Sequence, residues 1–220
     1  MTISFDPIEM RTSQRLAGVR ALVCLLKDLN PAYVERKQAE LQRYAMDHGL
    51  EAEQYFSERE ILDIELEFRL PQIIAFAIAT HLHSILEAHL RECAKRAEER
   101  MNLPSGPDEL KDRGIKRYAT YLSRSGVYDA MKHEAWQAAT DLRAIRNLIV
   151  HRAGTDIKEK DAKRLNREYE KRFAYLEDDT GWWKEVWVSA DLCELFADKV
   201  EALTKNCLAA VNSATRRVKS

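Results

Sequence analysis

The segment RAIRNLIVHRAG, residues 143–154, sets three arginines, an asparagine and a histidine among apolar neighbours. On a helix that turns about 100° per residue, Arg143, Asn147 and His151 form one stripe, because they are four residues apart. Arg146 borders this stripe and can reach across it on its long side chain. The apolar residues of the segment lie on the opposite side of the helix: Leu142, Ile145 and Ile149. The segment therefore predicts an amphipathic helix with one strongly cationic side.

These residue types suit the cleavage of RNA without a metal. A base can activate the RNA 2′-hydroxyl to attack the adjacent phosphorus, and an acid must then protonate the departing 5′-oxygen. Histidine titrates near neutral pH and can do either task. Arginine holds phosphate oxygens with its planar fork and stabilises charge in the transition state. Asparagine can orient the imidazole or contact the phosphate. DNA lacks the 2′-hydroxyl, so this chemistry excludes it as a substrate.

The reaction needs both a base and an acid, and the segment contains a single histidine. A two-fold axis would supply a second one, since an isologous contact repeats the same residues on both sides. On the helix, the small apolar residues Val150 and Ala139 fall on the side of the arginines. We therefore expect a homodimer whose two copies meet near Val150.

The bare spacing of Arg146 and His151 is weak evidence, because a chain of this composition contains about 0.6 such pairs by chance. A second pair, Arg43 and His48, occurs in RYAMDH. There Gly49 follows directly, which predicts an exposed helix end. The competing interpretation of residues 143–151 is a solvated or partner-binding helix face.

RNLIVH resembles the Arg-polar-x3-His signature of the HEPN superfamily, and HSILEAHLRE, residues 83–92, resembles an earlier helix of that family. The resemblance covers residues 60–175. It implies a metal-independent endoribonuclease in which two protomers bring their motif helices together. Arg146 and His151 would be the principal catalytic pair, with Asn147 as the polar partner. Arg143 is added as a substrate-binding residue from helix geometry.

Such proteins often act as toxins or in phage defence, so the expected partners are RNA, a second copy of the chain and an antitoxin protein.

Two other functions remain open from the sequence. The first is a HEPN-like dimerisation or nucleotide-binding scaffold that performs no chemistry. The second is a helical interaction protein in which the motif is a coincidence. A ribonuclease needs Arg146 and His151 at one cleft. A scaffold needs the cleft but shows no turnover. An interaction protein with a coincidental motif predicts that His151 is buried in its own core or alone on the surface.

Two further predictions concern residues outside the motif. Glu87 lies in an apolar stretch and either orients Arg143 or Arg146 or forms a plain structural ion pair. The histidines at 81, 83 and 89 lack the spacing of metal ligands, and no cysteine or aspartate is expected to join them, so we predict neither a metal nor a cofactor.

The composition favours a helical protein of one domain. The 220 residues carry 35 Lys and Arg against 36 Asp and Glu, so the net charge gives no sign of a nucleic-acid or membrane partner. The 45% of hydrophobic residues suffices for a core, and 7 Gly and 5 Pro favour long elements. The cysteines are widely spaced in sequence, as in a reduced cytoplasmic protein. PQIIAFAIATHLHSIL, from Pro71, is interrupted by histidines too early for a membrane span and suits a buried central helix.

We predict an all-α, up-and-down bundle with a small β-hairpin near the C-terminus. The single domain 1–220 divides into N-terminal helices (1–59), a motif-bearing bundle (60–175), and the hairpin with a last helix (176–220). The predicted helices span residues 7–29, Pro31 to Gly49, 51–70, 71–101, 108–122, 127–152 and 156–173. The hairpin is predicted in residues 173–188, and Ser189 is predicted to cap a last helix. In the 51–70 helix, Ile61, Ile64 and Phe68 are predicted to face inward.

Overall fold

A computed structural model of the chain describes residues 6–150, 159–177 and 184–217. The helices and strands are α1 (Pro7–His48), α2 (Ala52–Ile64), a π-helical turn (Glu65–Arg69), α3 (Leu70–Met101), α4 (Ile115–Arg124), α5 (Trp136–Val150), α6 (Glu159–Glu168), β1 (Phe173–Glu177), β2 (Lys184–Val188) and α7 (Ala190–Arg217). Short 3-10 turns occupy Pro107–Glu109 and Ala130–Lys132. The predicted all-α bundle with a small β-hairpin is confirmed.

Helix α3 is the central helix of the bundle. It packs against α1, α4, α5 and α7. Ile78, Leu82, Leu86 and Leu90 recur every four residues along it and are fully buried, as the helical period requires. The segment Ala52–Met101 is long and apolar enough to cross a membrane, but half of its most apolar stretch is buried inside the protein. The prediction of a central helix is confirmed, whereas the prediction that the stretch is interrupted too early for a membrane span does not hold for its length and composition.

Helix α1 is longer than the sequence indicated. The predicted break at Pro31 is wrong, because one helix continues from Pro7 to His48. A proline inside a helix removes one hydrogen bond and crowds the preceding turn, and here the flanking turns continue on both sides. The end of the helix was predicted well: Gly49 adopts a left-handed conformation with φ of 62° and caps it.

The second half of α1 and helix α2 form a two-helix arm, residues 32–64. None of its described side chains is buried, and α2 packs mainly on α1. The predicted inward face of this region is therefore wrong, since Ile61, Ile64 and Phe68 are 54%, 45% and 58% exposed. The π-helical turn interrupts the 3.6-residue period, and Leu66 is its buried residue.

Helices α4 and α5 begin later than predicted. Gly114, with φ of 60°, precedes α4, so the helix starts at Ile115 rather than near 108. Helix α5 starts at Trp136, after the 3-10 turn, rather than near 127. Its predicted end at Arg152 lies outside the described residues. The late start does not affect the motif, because residues 143–150 are all helical.

The predicted hairpin is confirmed as an antiparallel pair in which Phe173 lies opposite Val188 and Glu177 opposite Lys184. Gln72 of α3 fixes it to the bundle. The Val188 amide donates to Gln72 Oε1 at 2.8 Å, and Gln72 Nε2 donates to the Val188 carbonyl at 3.3 Å. Ser189 caps α7 as predicted, because its Oγ accepts from the Leu192 amide at 3.1 Å.

Candidate functional site

Helix α5 presents Arg143, Arg146 and Asn147 on one half-exposed side. On the other side, Leu142 and Ile145 are fully buried in the bundle core. The predicted division of this helix is therefore correct for these five residues. Arg146 Nη1 donates to Asn147 Oδ1 at 3.1 Å, which places the amide directly beside the guanidinium. This bond uses only part of the guanidinium fork, and no described carboxylate forms an ion pair with Arg146.

The end of the motif is incompletely described. His151 lies outside the described residues, so the predicted stripe is seen only as far as Val150. The Val150 side chain is 46% exposed, as a contact with a second copy would need. Ala139 is only 3% exposed and belongs to the core of its own chain, because α5 packs against both α3 and α7. The prediction that Ala139 extends an apolar spot around Val150 is therefore wrong.

Two residues of α3 face this side of α5. His83 is buried, and its Nδ1 lies 3.9 Å from Glu87 Oε2 one turn away. Burial lowers the pKa of His83, the Glu87 carboxylate opposes this change, and the positive charges of Arg146 and Arg143 lower the pKa further. The lowered pKa disfavours the charged imidazole, and α3 and α5 pack against each other. Sequence reasoning missed His83; the i,i+4 spacing to Glu87 was the available signal.

Glu87 fits the second of the two predicted alternatives, a structural pairing, and does not orient an arginine. In the described part of the chain its carboxylate lies 3.9 Å from His83 Nδ1, and neither Arg143 nor Arg146 forms an ion pair with it. A Cβ atom on Gly114 would lie 3.7 Å from Glu87 Oε1, so the loop before α4 closes over this carboxylate.

Asp141 fixes α5 from the opposite side and was also missed. Its side chain is fully buried and accepts hydrogen bonds from Gln137 Nε2 at 2.8 Å and from the Tyr169 hydroxyl at 2.8 Å. Arg164 Nη2 of α6 forms an ion pair with it at 2.6 Å. Burial and the bond to Asp141 raise the pKa of Tyr169 far above its ordinary range. An acidic residue within an apolar helix face was the signal in the sequence, since buried carboxylates need partners.

A separate polar cluster lies between α3 and α7. The ligand-capable atoms of His89, Cys93 and Cys207 are all within 4.8 Å of one another, and all three side chains are buried. The expectation that no cysteine joins a histidine is therefore wrong: Cys207 is distant in sequence but adjacent in space. The four-residue spacing of His89 and Cys93 on one helix was the local signal. A hydrogen bond from the Cys207 thiol lowers the pKa of Cys93, and the same contact raises that of Cys207.

A cavity of about 290 Å³ between α1 and α7 adjoins this cluster. His89 and Thr12 line it, together with the carboxylates of Glu9 and Glu201. Thr12 Oγ1 lies 2.8 Å from His89 Nδ1. The buried imidazole of His89 and several polar side chains therefore line one cavity. This cavity lies on a different side of α3 from His83 and Glu87.

No family model matches the chain, and neither a curated protein nor a solved structure is significantly similar to it. Function is therefore inferred from the chain's own residues and from the motif that it contains.

Proposed function

We propose that this chain is a metal-independent endoribonuclease, active in the cytoplasm as a homodimer. The observation that carries the proposal is the cationic side of α5. Arg143 and Arg146 are half-exposed there, and no carboxylate of the described residues forms an ion pair with either of them. Arginines that no described carboxylate neutralises, beside an apolar helix face, suit phosphate better than they suit a merely solvated surface.

The proposed reaction begins with removal of the proton from the RNA 2′-hydroxyl. The 2′-oxygen attacks phosphorus, the bond from phosphorus to the 5′-oxygen breaks, and a 2′,3′-cyclic phosphate remains. His151 of one protomer acts as the base, and His151 of the partner protonates the leaving 5′-oxygen. Arg146 stabilises the charge that develops on the phosphate, Asn147 is held beside it, and Arg143 binds a neighbouring phosphate.

The lowered pKa of His83 fits this scheme. A protonated His83 next to Arg143 and Arg146 would add a further positive charge and repel both guanidinium groups. Burial and the two arginines disfavour this protonated form. Glu87, about 40% exposed in its side chain, supplies a negative charge at the edge of the same region. By the resemblance of its motif, the enzyme belongs to the toxins or the phage-defence effectors and is restrained by an antitoxin protein.

The proposal is tested with purified protein and a mixed pool of single-stranded RNA in EDTA. We expect cleavage to products that end in a 2′,3′-cyclic phosphate or its opened form, and no cleavage of DNA of the same sequences. Products with a free 3′-hydroxyl and a 5′-phosphate would exclude attack by the 2′-hydroxyl. Binding of RNA or nucleotides without any cleavage would favour the non-catalytic scaffold instead.

The shared site requires a dimer, and Val150→Glu tests it. If Val150 lies at a two-fold contact, two buried and unpaired glutamates would face each other at a cost of about 3 kcal/mol. The dimer dissociation constant should therefore rise about 100-fold or more, and cleavage at low protein concentration should be lost while the helix content stays unchanged. Light scattering reports the mass, and circular dichroism reports the fold.

Leu25→Glu is the matched control, because Leu25 and Val150 are equally exposed at 46%. Leu25 lies on α1, away from the motif helix, so its variant should stay dimeric and active. A monomeric Val150→Glu protein with full ribonuclease activity would show that one chain is sufficient, and the shared-site model would have to be abandoned.

A further inference from the structure

We infer that His89, Cys93 and Cys207 bind one zinc ion, which links the central helix α3 to α7. Two observations lead to this site. The three ligand-capable atoms converge within 4.8 Å, and the imidazole of His89 has a nitrogen without a partner. His89 is only 3% exposed, and within the described part of the chain its Nε2 has no hydrogen-bond partner.

The unpartnered nitrogen is the one free to bind a metal. The other ring nitrogen, Nδ1, is engaged by Thr12 Oγ1 at 2.8 Å. A buried polar atom without a partner destabilises the folded state, and such atoms are uncommon in folded proteins. A ligating histidine usually donates its second N–H to a neighbouring acceptor, which fixes the tautomer and the ring orientation. Thr12 is placed to accept that proton, and in this tautomer Nε2 keeps the lone pair that a metal needs.

The donor set selects the ion. Two thiolates and an imidazole suit zinc, whereas calcium and magnesium prefer oxygen ligands. With Zn–S bonds of about 2.3 Å, the sulfur atoms of a tetrahedral site are about 3.8 Å apart. The observed separations of up to 4.8 Å thus need only a small closure of the side chains. The described residues offer three protein ligands, and the adjoining cavity of about 290 Å³ has room for a water molecule as the fourth.

The placement of the cluster indicates a structural role. His89 and Cys93 belong to α3, Cys207 belongs to α7, and Thr12 belongs to α1, so the ion would join the three helices that pack most closely together. None of these residues takes part in the proposed ribonuclease reaction, whose described residues lie on α5 and on the other side of α3. Zinc binding and ribonuclease activity can therefore be tested separately.

The test measures metal directly and needs no RNA. Reduced full-length protein is freed of metal, titrated with Co²⁺ without oxygen, and then titrated with Zn²⁺. We expect one cobalt ion per chain, with the visible bands of tetrahedral cobalt and a thiolate charge-transfer band, and displacement of the cobalt by zinc. Zinc should also raise the thermal midpoint of the metal-free protein, because a ligand that binds only the folded state stabilises it.

Three variants test the roles of individual side chains in this site. Cys207→Ser should remove the contribution of this sulfur to the thiolate charge-transfer band of bound cobalt. It should also weaken zinc binding at least 100-fold. Thr12→Val keeps all three ligands and should weaken binding about 10-fold to 100-fold through the lost hydrogen bond to His89 Nδ1. Cys193→Ser is the matched control: Cys193 is a fully buried cysteine of the same helix, but it contacts the Ala75 carbonyl rather than the cluster. It should bind zinc like the wild type.

Three results would overturn the inference. The first is that neither cobalt nor zinc binds the reduced wild-type protein. The second is that Cys193→Ser loses as much zinc affinity as Cys207→Ser. The third is a disulfide between Cys93 and Cys207 in protein purified under reducing conditions, since it would leave no thiolate for a metal. If Cys207→Ser fails to fold, Thr12→Val and the metal stoichiometry of the wild type still decide the question.

Discussion

The His151→Ala protein is expected to cleave RNA at least about 10²-fold more slowly than the wild type, as is usual for the loss of a general acid or base. The two histidines of the proposed dimer would be lost together, so neither proton transfer would have its group. The phosphate-binding arginines remain, and RNA affinity should fall far less than the rate. Rates are measured in EDTA under single-turnover conditions, and affinity is measured by filter binding.

His48→Ala is the control for this variant. His48 is also preceded by an arginine five residues earlier and stands at the end of a helix, where it stacks on Tyr44 with ring centroids 4.2 Å apart. Its removal should leave cleavage unchanged. If His151→Ala retained wild-type rates, or if both variants lost activity equally, the motif would have no specific catalytic role.

The Asp141→Ala protein should have a free energy of unfolding lower by about 3 kcal/mol, because a fully buried carboxylate with three donors is replaced by a methyl group. The hydroxyl of Tyr169 would be left without its acceptor. Arg164 loses less, since its side chain is 33% exposed and water can reach it. Urea denaturation followed by circular dichroism measures the change.

Asp198→Ala is the control substitution. Asp198 also pairs with an arginine, Arg20, at 2.7 Å, but its side chain is 58% exposed. Exposed ion pairs contribute about 0–1 kcal/mol, so this variant should unfold almost like the wild type. Equal losses in the two variants would show that Asp141 contributes no more than a surface charge, and that another contact fixes the rotation of α5.

Local patterns in the sequence predicted the elements that have a strong periodic or turn signal. The two sides of α5 follow from the 3.6-residue period, because Leu142 and Ile145 give that helix an unambiguous core face. The hairpin follows from β-branched and aromatic residues on either side of turn residues. Ser189 follows from its capping chemistry. In each case the information lies within one short segment of the chain.

Features that depend on distant parts of the chain were not predicted. Cys93 and Cys207 meet only because α3 and α7 pack together, and no local pattern reports this. Ile61 and Phe68 have the spacing of a core face, but the sequence does not say whether a core lies next to them. The burial of Ala139 was not predicted for the same reason. The sequence does not show that α5 packs against both α3 and α7.

The two-helix arm, residues 32–64, has a consequence for how the molecule opens. Its described side chains include none that is buried, so separating its helices exposes little new apolar surface, and the free energy that opposes this separation is small. The first half of α1 stays attached through Leu16, Val19 and Val23, which are in the core. We expect native-state hydrogen exchange in residues 32–64 to occur through local opening, at a free energy far below that of the amides around Leu86. Protection of the arm equal to that of α3 would instead mean that the arm is covered in solution. If the arm exchanges early, as expected, the chain consists of two cooperative units: a bundle that unfolds only globally, and an arm that opens by itself many times during the lifetime of the folded bundle.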